Sequence, residues 1–203
     1  MSERELIVVD VETTGLDVDK HWVLEVAAIN VLTGDELYFV PALPVGALDT
    51  ADGKALKING YFEREVFQHR LEADASEGYW NKLWDWLDGN TLAGSNPTFD
   101  AAMLNRHQEW NAATSSPVPL RGERPTGRRL SPWHHRLADL SAYAAGALGI
   151  RATALPGLDV VCRSLKVENA DPHSALGDAR ATADCFRKLA NMAADRNAEA
   201  VSA

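Results

Sequence analysis

The chain has only two cysteines, Cys162 and Cys185, and their spacing supplies neither a disulfide framework nor a zinc-binding set. No apolar run approaches the roughly 18 residues that would suggest a membrane span. Residues Met1 to Glu5 are polar and acidic rather than basic, so no signal peptide is expected. A reducing, cytoplasmic setting follows as the default expectation, with no membrane partner. Basic residues are outnumbered, 20 Lys and Arg against 29 Asp and Glu, for a net charge of −9. This excludes a protein that coats nucleic acid through bulk electrostatics. It leaves room for one that works on nucleic acid locally, because bound cations can screen phosphate on an acidic protein. Internal repeats, low-complexity tracts and linker-like boundaries are absent too. With 203 residues, 46% of them hydrophobic and 24% charged, the chain has the material for one domain with a sizeable core. That domain is expected to span 1–203, with its core at about 5–194 and a frayed tail over 195–203.

Leu6 to Val11 is a short β-branched apolar run and reads as a buried strand. Val23 to Leu32 and Glu36 to Val40 are further strands, joined by a turn at Thr33-Gly34-Asp35. Pro41 to Gly53 reads as loop, and Gly60 to His69 and Tyr79 to Leu87 as helices. Trp80, Trp84 and Leu87 recur at helical spacing and read as core. Thr91 to Ala93 is a strand, Pro97 to Trp110 a helix, and residues 111–135 a long loop rich in Pro, Ser, Gly and Arg. A strand end and helix follow over Leu137 to Leu148, then helices at Leu158 to Leu165 and Ser174 to Ala194. Strands first, then helices alternating with strands, point to an α/β fold.

Three groups of residues carry chemistry. Asp10 and Glu12 end the first strand, and their two-residue spacing places both side chains on one sheet face. Two like charges beside an apolar strand repel and lose hydration unless a cation lies between them. Hard divalent cations suit carboxylate oxygens. The second group runs Gly94-Ser95-Asn96-Pro97-Thr98-Phe99-Asp100. Asn96 suits a helix N-cap and Pro97 the first helical position. Asp100 then falls in the first turn, on the inward stripe of Met103, Leu104 and His107. The third group is His173-Ser174-Ala175-Leu176-Gly177-Asp178. Its helix has one apolar stripe with Asp178, Ala181, Thr182, Cys185 and Leu189, and another with Leu176, Ala179, Ala183, Phe186 and Ala190. Such a helix is covered on two sides, so Asp178 should be half-buried. Each group alone also fits a plainer role: a solvated strand end, a carboxylate at a helix N-terminus, a cap-region histidine.

Together, Val9 to Leu16, Asn96 to Asp100 and His173 to Asp178 resemble the DEDDh family of 3′–5′ exonucleases, the DnaQ-like branch of the ribonuclease H-like superfamily. Ala175 to Thr182 is similar to the family's last helix, and the resemblance spans roughly residues 5 to 190. It implies a mixed five-stranded sheet with helices on both faces and the site at its centre. It further implies that Asp10, Glu12, Asp100 and Asp178 hold two divalent ions, Mg²⁺ with Mn²⁺ as a substitute, Asp10 bridging both. His173 would be the general base, kept neutral by a nearby helix end. Thr14 and Leu16 resemble the turn that cradles the terminal nucleotide, and Ile58-Asn59-Gly60 the second wall of that pocket.

Arg121, Arg124, Arg128, Arg129 and Arg136, with His134 and His135, form a basic stretch opposed only by Glu123. It is a candidate for tracking the phosphate backbone, through Arg128 and Arg129 above all; a solvated loop is the alternative. Asp139 reads as a helix cap, and His21, His69 and His107 receive no functional reading. The substrate expected first is the 3′ end of single-stranded DNA, for a freestanding repair enzyme or a proofreading subunit with a DNA polymerase as partner. An RNA exonuclease of the oligoribonuclease or RNase T type is the alternative. A rival of another class is a non-catalytic nucleic-acid-binding module of the same fold, which the presence of all five site residues disfavours.

Overall fold

A computed structural model describes residues 4–115 and 131–202. Leu6–Thr13 forms β1 and Val23–Asn30 forms β2, an antiparallel pair in which Asp10 lies opposite Ala27 and Glu12 opposite Glu25. Every residue of β2 is buried, as an apolar run covered on both faces requires. Beyond the Thr33-Gly34-Asp35 turn, β3 (Glu36–Phe39) pairs antiparallel with β2. β4 (Thr91–Gly94) runs parallel to β1 on its other side, and the two-residue β5 (Ala138–Asp139) runs parallel to β4. The order is β3-β2-β1-β4-β5, the mixed five-stranded sheet that the sequence predicts. The helices are α1 (Gly53–Ile58), α2 (Ala73–Leu87), α3 (Pro97–Ser115), α4 (Leu140–Leu148), α5 (Leu158–Leu165) and α6 (Ala175–Ser202).

Alternation along β1 divides the core into two layers. Ile7, Val9 and Val11 pack on one face with Trp80 and Leu83 of α2 and Met103 and Leu104 of α3. Val8, with Ala27 and Ile29 of β2, packs on the other against Leu140 of α4, Val161 of α5 and Ala179 of α6. Asp10 and Glu12 share a face with Val8, so they point toward the α6 layer. Trp80 and Trp84 are core residues, 2% and 6% exposed, as their spacing predicts. His107 stacks on Trp80 with ring centroids 3.7 Å apart, and burial pushes its pKa down to about 4. It is a packing histidine.

Several elements differ from the sequence reading. Among them, α2 begins at Ala73 rather than Tyr79, and α3 ends at Ser115 rather than Trp110. The Gly60–His69 stretch is not a helix: Gly60 and Glu65 have φ of +61° and +55°, which interrupt it, and only a 3₁₀ turn forms at Val66–His69. The helix of this region lies earlier, as α1, where Asp52 accepts from the Lys54 amide at the edge of the expected loop. At the far end, α6 continues to Ser202 instead of fraying after Ala194. Its last turns are exposed but rich in Ala, Glu, Arg and Asn without Gly or Pro, so the backbone helix persists without packing. Asp139 caps α4 by accepting from the Ala142 amide, as expected. Among the described residues no helix is long and apolar enough to cross a membrane.

Candidate metal centre

The expected carboxylates meet beyond the point where β4 ends. β4 pairs with β1 only through Ala93 opposite Val8, so β1 runs on past its parallel neighbour. The Val11 amide is taken instead by Asp100 Oδ1 at 3.0 Å. Pro97 starts α3 as predicted, and Asp100 in its first turn is 4% exposed, reaching the edge of β1 from the α3 layer. Asn96 itself takes a left-handed φ of +66°, and its carbonyl accepts from the Phe99 amide. From the opposite layer, Asp178 in the first turn of α6 is half-buried, as its two-stripe helix predicts. Oxygens of Asp10, Glu12 and Asp178 lie within 4.8 Å of one another.

Electrostatics of the cluster follow from crowding. Burial, then the charges of Asp100 and Asp178, hold the Asp10 carboxyl well above the usual carboxylate range. Glu12 is pushed up to about 8, first by burial and then by Asp178 and Glu25. Burial raises Asp100 to about 7 against the Val11 hydrogen bond, and raises Asp178 against its own hydrogen bonds. Four carboxyls held above their usual range by burial and crowding present oxygen donors only, which fits a hard divalent cation that would relieve them.

The sign of the resulting pH effect is opposite to the ordinary acidic residue. Folded pKa values lie above unfolded ones, so the folded state binds more protons between about pH 4 and about pH 8, and stability falls as pH rises through that window. In EDTA, the melting temperature is expected to drop between pH 5.5 and pH 8.5, by about 2–4 °C for each kcal/mol lost. Saturating Mg²⁺ should recover more at pH 8.5 than at pH 5.5. Differential scanning calorimetry at matched ionic strength checks this; metal stabilisation independent of pH would show that the carboxyls are not proton-loaded.

His173 precedes the Ser174 N-cap of α6 in a left-handed conformation, φ +63°. Its side chain is exposed, while its backbone amide donates to Asp178 Oδ2 at 3.3 Å. The loop that carries it passes close over the helix start because residue 177 is glycine. A Cβ there would overlap the Asp171 carbonyl and lie 2.8 Å from Ser174 Oγ. Gly177→Ala should therefore destabilise the protein by about 1–3 kcal/mol, in the range of overpacked cores, and displace the His173 loop. Thermal melts and activity together test this; an unchanged melting temperature would contradict it.

The residues of the expected nucleotide pocket divide in two. Leu16 is 79% exposed and free to meet a ligand. Thr14 is fully buried, with Oγ1 accepting from the Trp22 amide at 2.9 Å and lying 3.2 Å from His21 Nδ1. The His21 ring packs on Gly15, where a Cβ would come within 2.7 Å of three ring atoms. Asn59 is also buried: its Nδ2 donates to the Thr13 carbonyl and its Oδ1 accepts from the Tyr61 amide. Thr14 thus fastens the turn after β1 to the chain entering β2, and Asn59 fastens it to the end of α1. Arg128 and Arg129 lie outside the described residues, as do Arg121 and Arg124. Arg136 follows His134, whose amide is bonded to the Asn90 carbonyl.

Sequence reasoning missed a buried charge network beside the cluster. Glu25, 1% exposed, accepts from Arg64 Nη1 at 2.7 Å and Nη2 at 3.0 Å and from the Tyr38 hydroxyl at 2.8 Å. Arg64 Nη1 also donates to the Asn59 carbonyl at 2.8 Å and approaches the His173 carbonyl at 3.5 Å. Asn169, likewise missed, donates from Nδ2 to Asp178 Oδ1 at 2.6 Å. The signal available was Glu25 itself, a charge inside the otherwise apolar run Val23-Leu24-Glu25-Val26-Ala27.

A mixed five-stranded sheet with helices on both faces and a carboxylate cluster where β1 outruns β4 is the ribonuclease H-like architecture of exonucleases. The sequence matches the RNase T exonuclease family over residues 7–186, and the chain belongs to that family, whose DEDDh pattern is the one read above. In fold it is similar to E. coli exonuclease I in complex with a dT13 oligonucleotide (TM-score 0.62, 18% identity, 92% of this chain and 41% of the other). Similar too are a moderately thermophilic exonuclease I from Methylocaldum szegediense (0.57, 22%, 92% and 40%) and a 3′-exonuclease that recognises a histone mRNA stem-loop (0.59, 13%, 92% and 63%). At these identities the likeness is one of fold, and the chain spans about two fifths of the length of the exonuclease I proteins.

Proposed function

We propose that this chain is a 3′–5′ exonuclease that releases nucleoside monophosphates from single-stranded DNA ends. Asp10, Glu12, Asp100 and Asp178 hold two Mg²⁺ ions, and His173 is the general base. The observation that carries this reading is the convergence of Asp10, Glu12 and Asp178 oxygens within 4.8 Å, with Asp100 bonded to the residue between the first two. Bound Mg²⁺, or Mn²⁺ in its place, supplies a lowered pKa for the attacking water and charge relief for the leaving 3′ oxygen. Asp10, buried and then pressed by the charges of Asp100, Asp178 and Glu12, is a carboxylate that a bound cation would relieve. His173 would accept the water's proton at a ring nitrogen. Leu16 meets the terminal base, while Thr14 and Asn59 hold the walls of its pocket rather than contacting it. Single-strand ends suit this reading, since the terminal nucleotide would have to enter the pocket unpaired.

Arg128 and Arg129 follow the backbone upstream of the cleaved bond in this reading, and contribute to KM rather than to the chemical step. In a proofreading role a DNA polymerase would present the strand. Fold similarity to an RNA 3′-exonuclease, matched over 63% of its length, gives RNA ends as the second reading. Single-stranded DNA and RNA of one sequence, labelled at the 5′ end and digested side by side with Mg²⁺ or Mn²⁺, test the proposal. Ladders of products shortened from the 3′ end, stopped by EDTA, are expected. Binding without shortening of either strand would favour a non-catalytic module.

A further inference from the structure

The loop between α5 and α6 ends at the Ser174 cap, and one of its side chains has no evident structural duty. Asn169 is half-buried, and its Nδ2 donates to Asp178 Oδ1 at 2.6 Å, a close bond between nitrogen and oxygen. Its Oδ1 is buried and finds no hydrogen-bond partner among the described residues. An orphaned buried acceptor is unfavourable, so a residue held this way for packing alone would be better replaced by an apolar one of the same size. The polar cost is offset only by what Nδ2 does to Asp178. Asp178 Oδ2 meanwhile accepts the longer His173 amide bond, 3.3 Å, from the same loop. Both donors come from the α5–α6 connection, and between them they fix the plane of the carboxylate that faces Asp10 and Glu12.

We infer that Asn169 is a positioning residue for the metal centre: it orients Asp178 so that the carboxylate is preset to receive a divalent cation. The amide touches neither substrate nor the reacting atoms. It acts on affinity for the ion, as partners of metal ligands generally do, where their removal typically weakens binding or activity by about 10–100-fold. A side chain that cannot donate leaves Asp178 free to rotate away from Asp10 and Glu12. Occupancy at low metal then falls, whereas turnover of the loaded enzyme is largely kept. The activity half of this expectation rests on the exonuclease reading; the binding half does not.

The test uses the full chain and Mn²⁺ as the probe, counting free ion by electron paramagnetic resonance. Asn169→Leu, similar in volume but without a donor, and Asn169→Ala should each bind Mn²⁺ about 10–100-fold more weakly than wild type. The Mn²⁺ concentration for half-maximal nuclease rate should rise in parallel, and the rate at saturating Mn²⁺ should return to within a few-fold of wild type. Glu168→Ala, an exposed neighbour in the same loop, should change neither. Unchanged Mn²⁺ affinity in a folded Asn169 variant would overturn the inference. So would a lowered melting temperature with activity that no amount of Mn²⁺ restores, because that marks a purely structural residue. Should wild type bind Mn²⁺ but cut nothing, the exonuclease reading fails while the binding comparison still decides the role of Asn169.

Discussion

Asp10→Ala and Asp178→Ala are each expected to lower kcat by about 10³-fold or more while leaving the protein folded. A bound cation is worth several kcal/mol of charge stabilisation in the transition state, and each 1.36 kcal/mol is about tenfold in rate. Asp10 and Asp178 come from opposite ends of the chain and share one cluster, so losing either one opens it. The same substitutions should raise the melting temperature in EDTA. Asp10 is buried among Asp100, Asp178 and Glu12, and removing one of four crowded carboxyls relieves desolvation and repulsion. Opposite changes in stability and activity separate a functional carboxylate from a structural one. A variant that loses both stability and activity would mean the carboxylate was holding the fold, and full activity in either variant would remove that residue from the site.

His173→Asn should reduce kcat by about 10²–10⁴-fold, the range of general-base catalysis, with Mn²⁺ affinity nearly unchanged. Asparagine is the informative replacement because residue 173 has a φ of +63°, and asparagine tolerates the left-handed region better than alanine does. The bond to Asp178 Oδ2 comes from the backbone amide and survives the substitution. Wild type and variant should also differ in their pH–rate profiles, because only one carries a side-chain base at position 173. A pH–rate series on both proteins at saturating Mn²⁺ measures it. Equal rates and equal profiles would leave His173 as a loop residue before the α6 cap.

How much of this was legible without coordinates depended on whether the signal was local. β1, β2 and β4 declared themselves as apolar runs, and α3 and α6 by stripes at helical spacing, so the inward placement of Asp100 and Asp178 could be read directly. Gly60–His69 misled because Phe62 and Val66 stand at helical spacing, whereas the left-handed Glu65 is invisible in composition. The short α1 hid because Gly53 suggests loop more strongly than Asp52 suggests a cap. The structure brings together Asp10, Glu12 and Asp178, which the sequence groups by motif, whereas partners joined only by the fold left no such mark. Glu25 and Arg64 are 39 positions apart, and their meeting depends on the Glu12–Glu25 register and on the turn after α1. Asn169 bonds nine residues away across an irregular loop, where no periodicity marks it.

The layering of the core makes the site a joint as well as a centre of chemistry. Asp100 belongs to the α3 layer, Asp178 to the α6 layer, and Asp10 and Glu12 to the strand sandwiched between them. A cation held by all four would rivet the two layers through the sheet and close a loop of more than 160 residues between Asp10 and Asp178. A nascent chain could not assemble this joint until α6 had docked. A cation held by all four carboxylates would thereby require both layers to have formed. The rivet would also act against unfolding, because the layers could separate only after the ion had left. Resistance to proteolysis in Mn²⁺ should accordingly extend to segments on both sides of the sheet, far from any carboxylate.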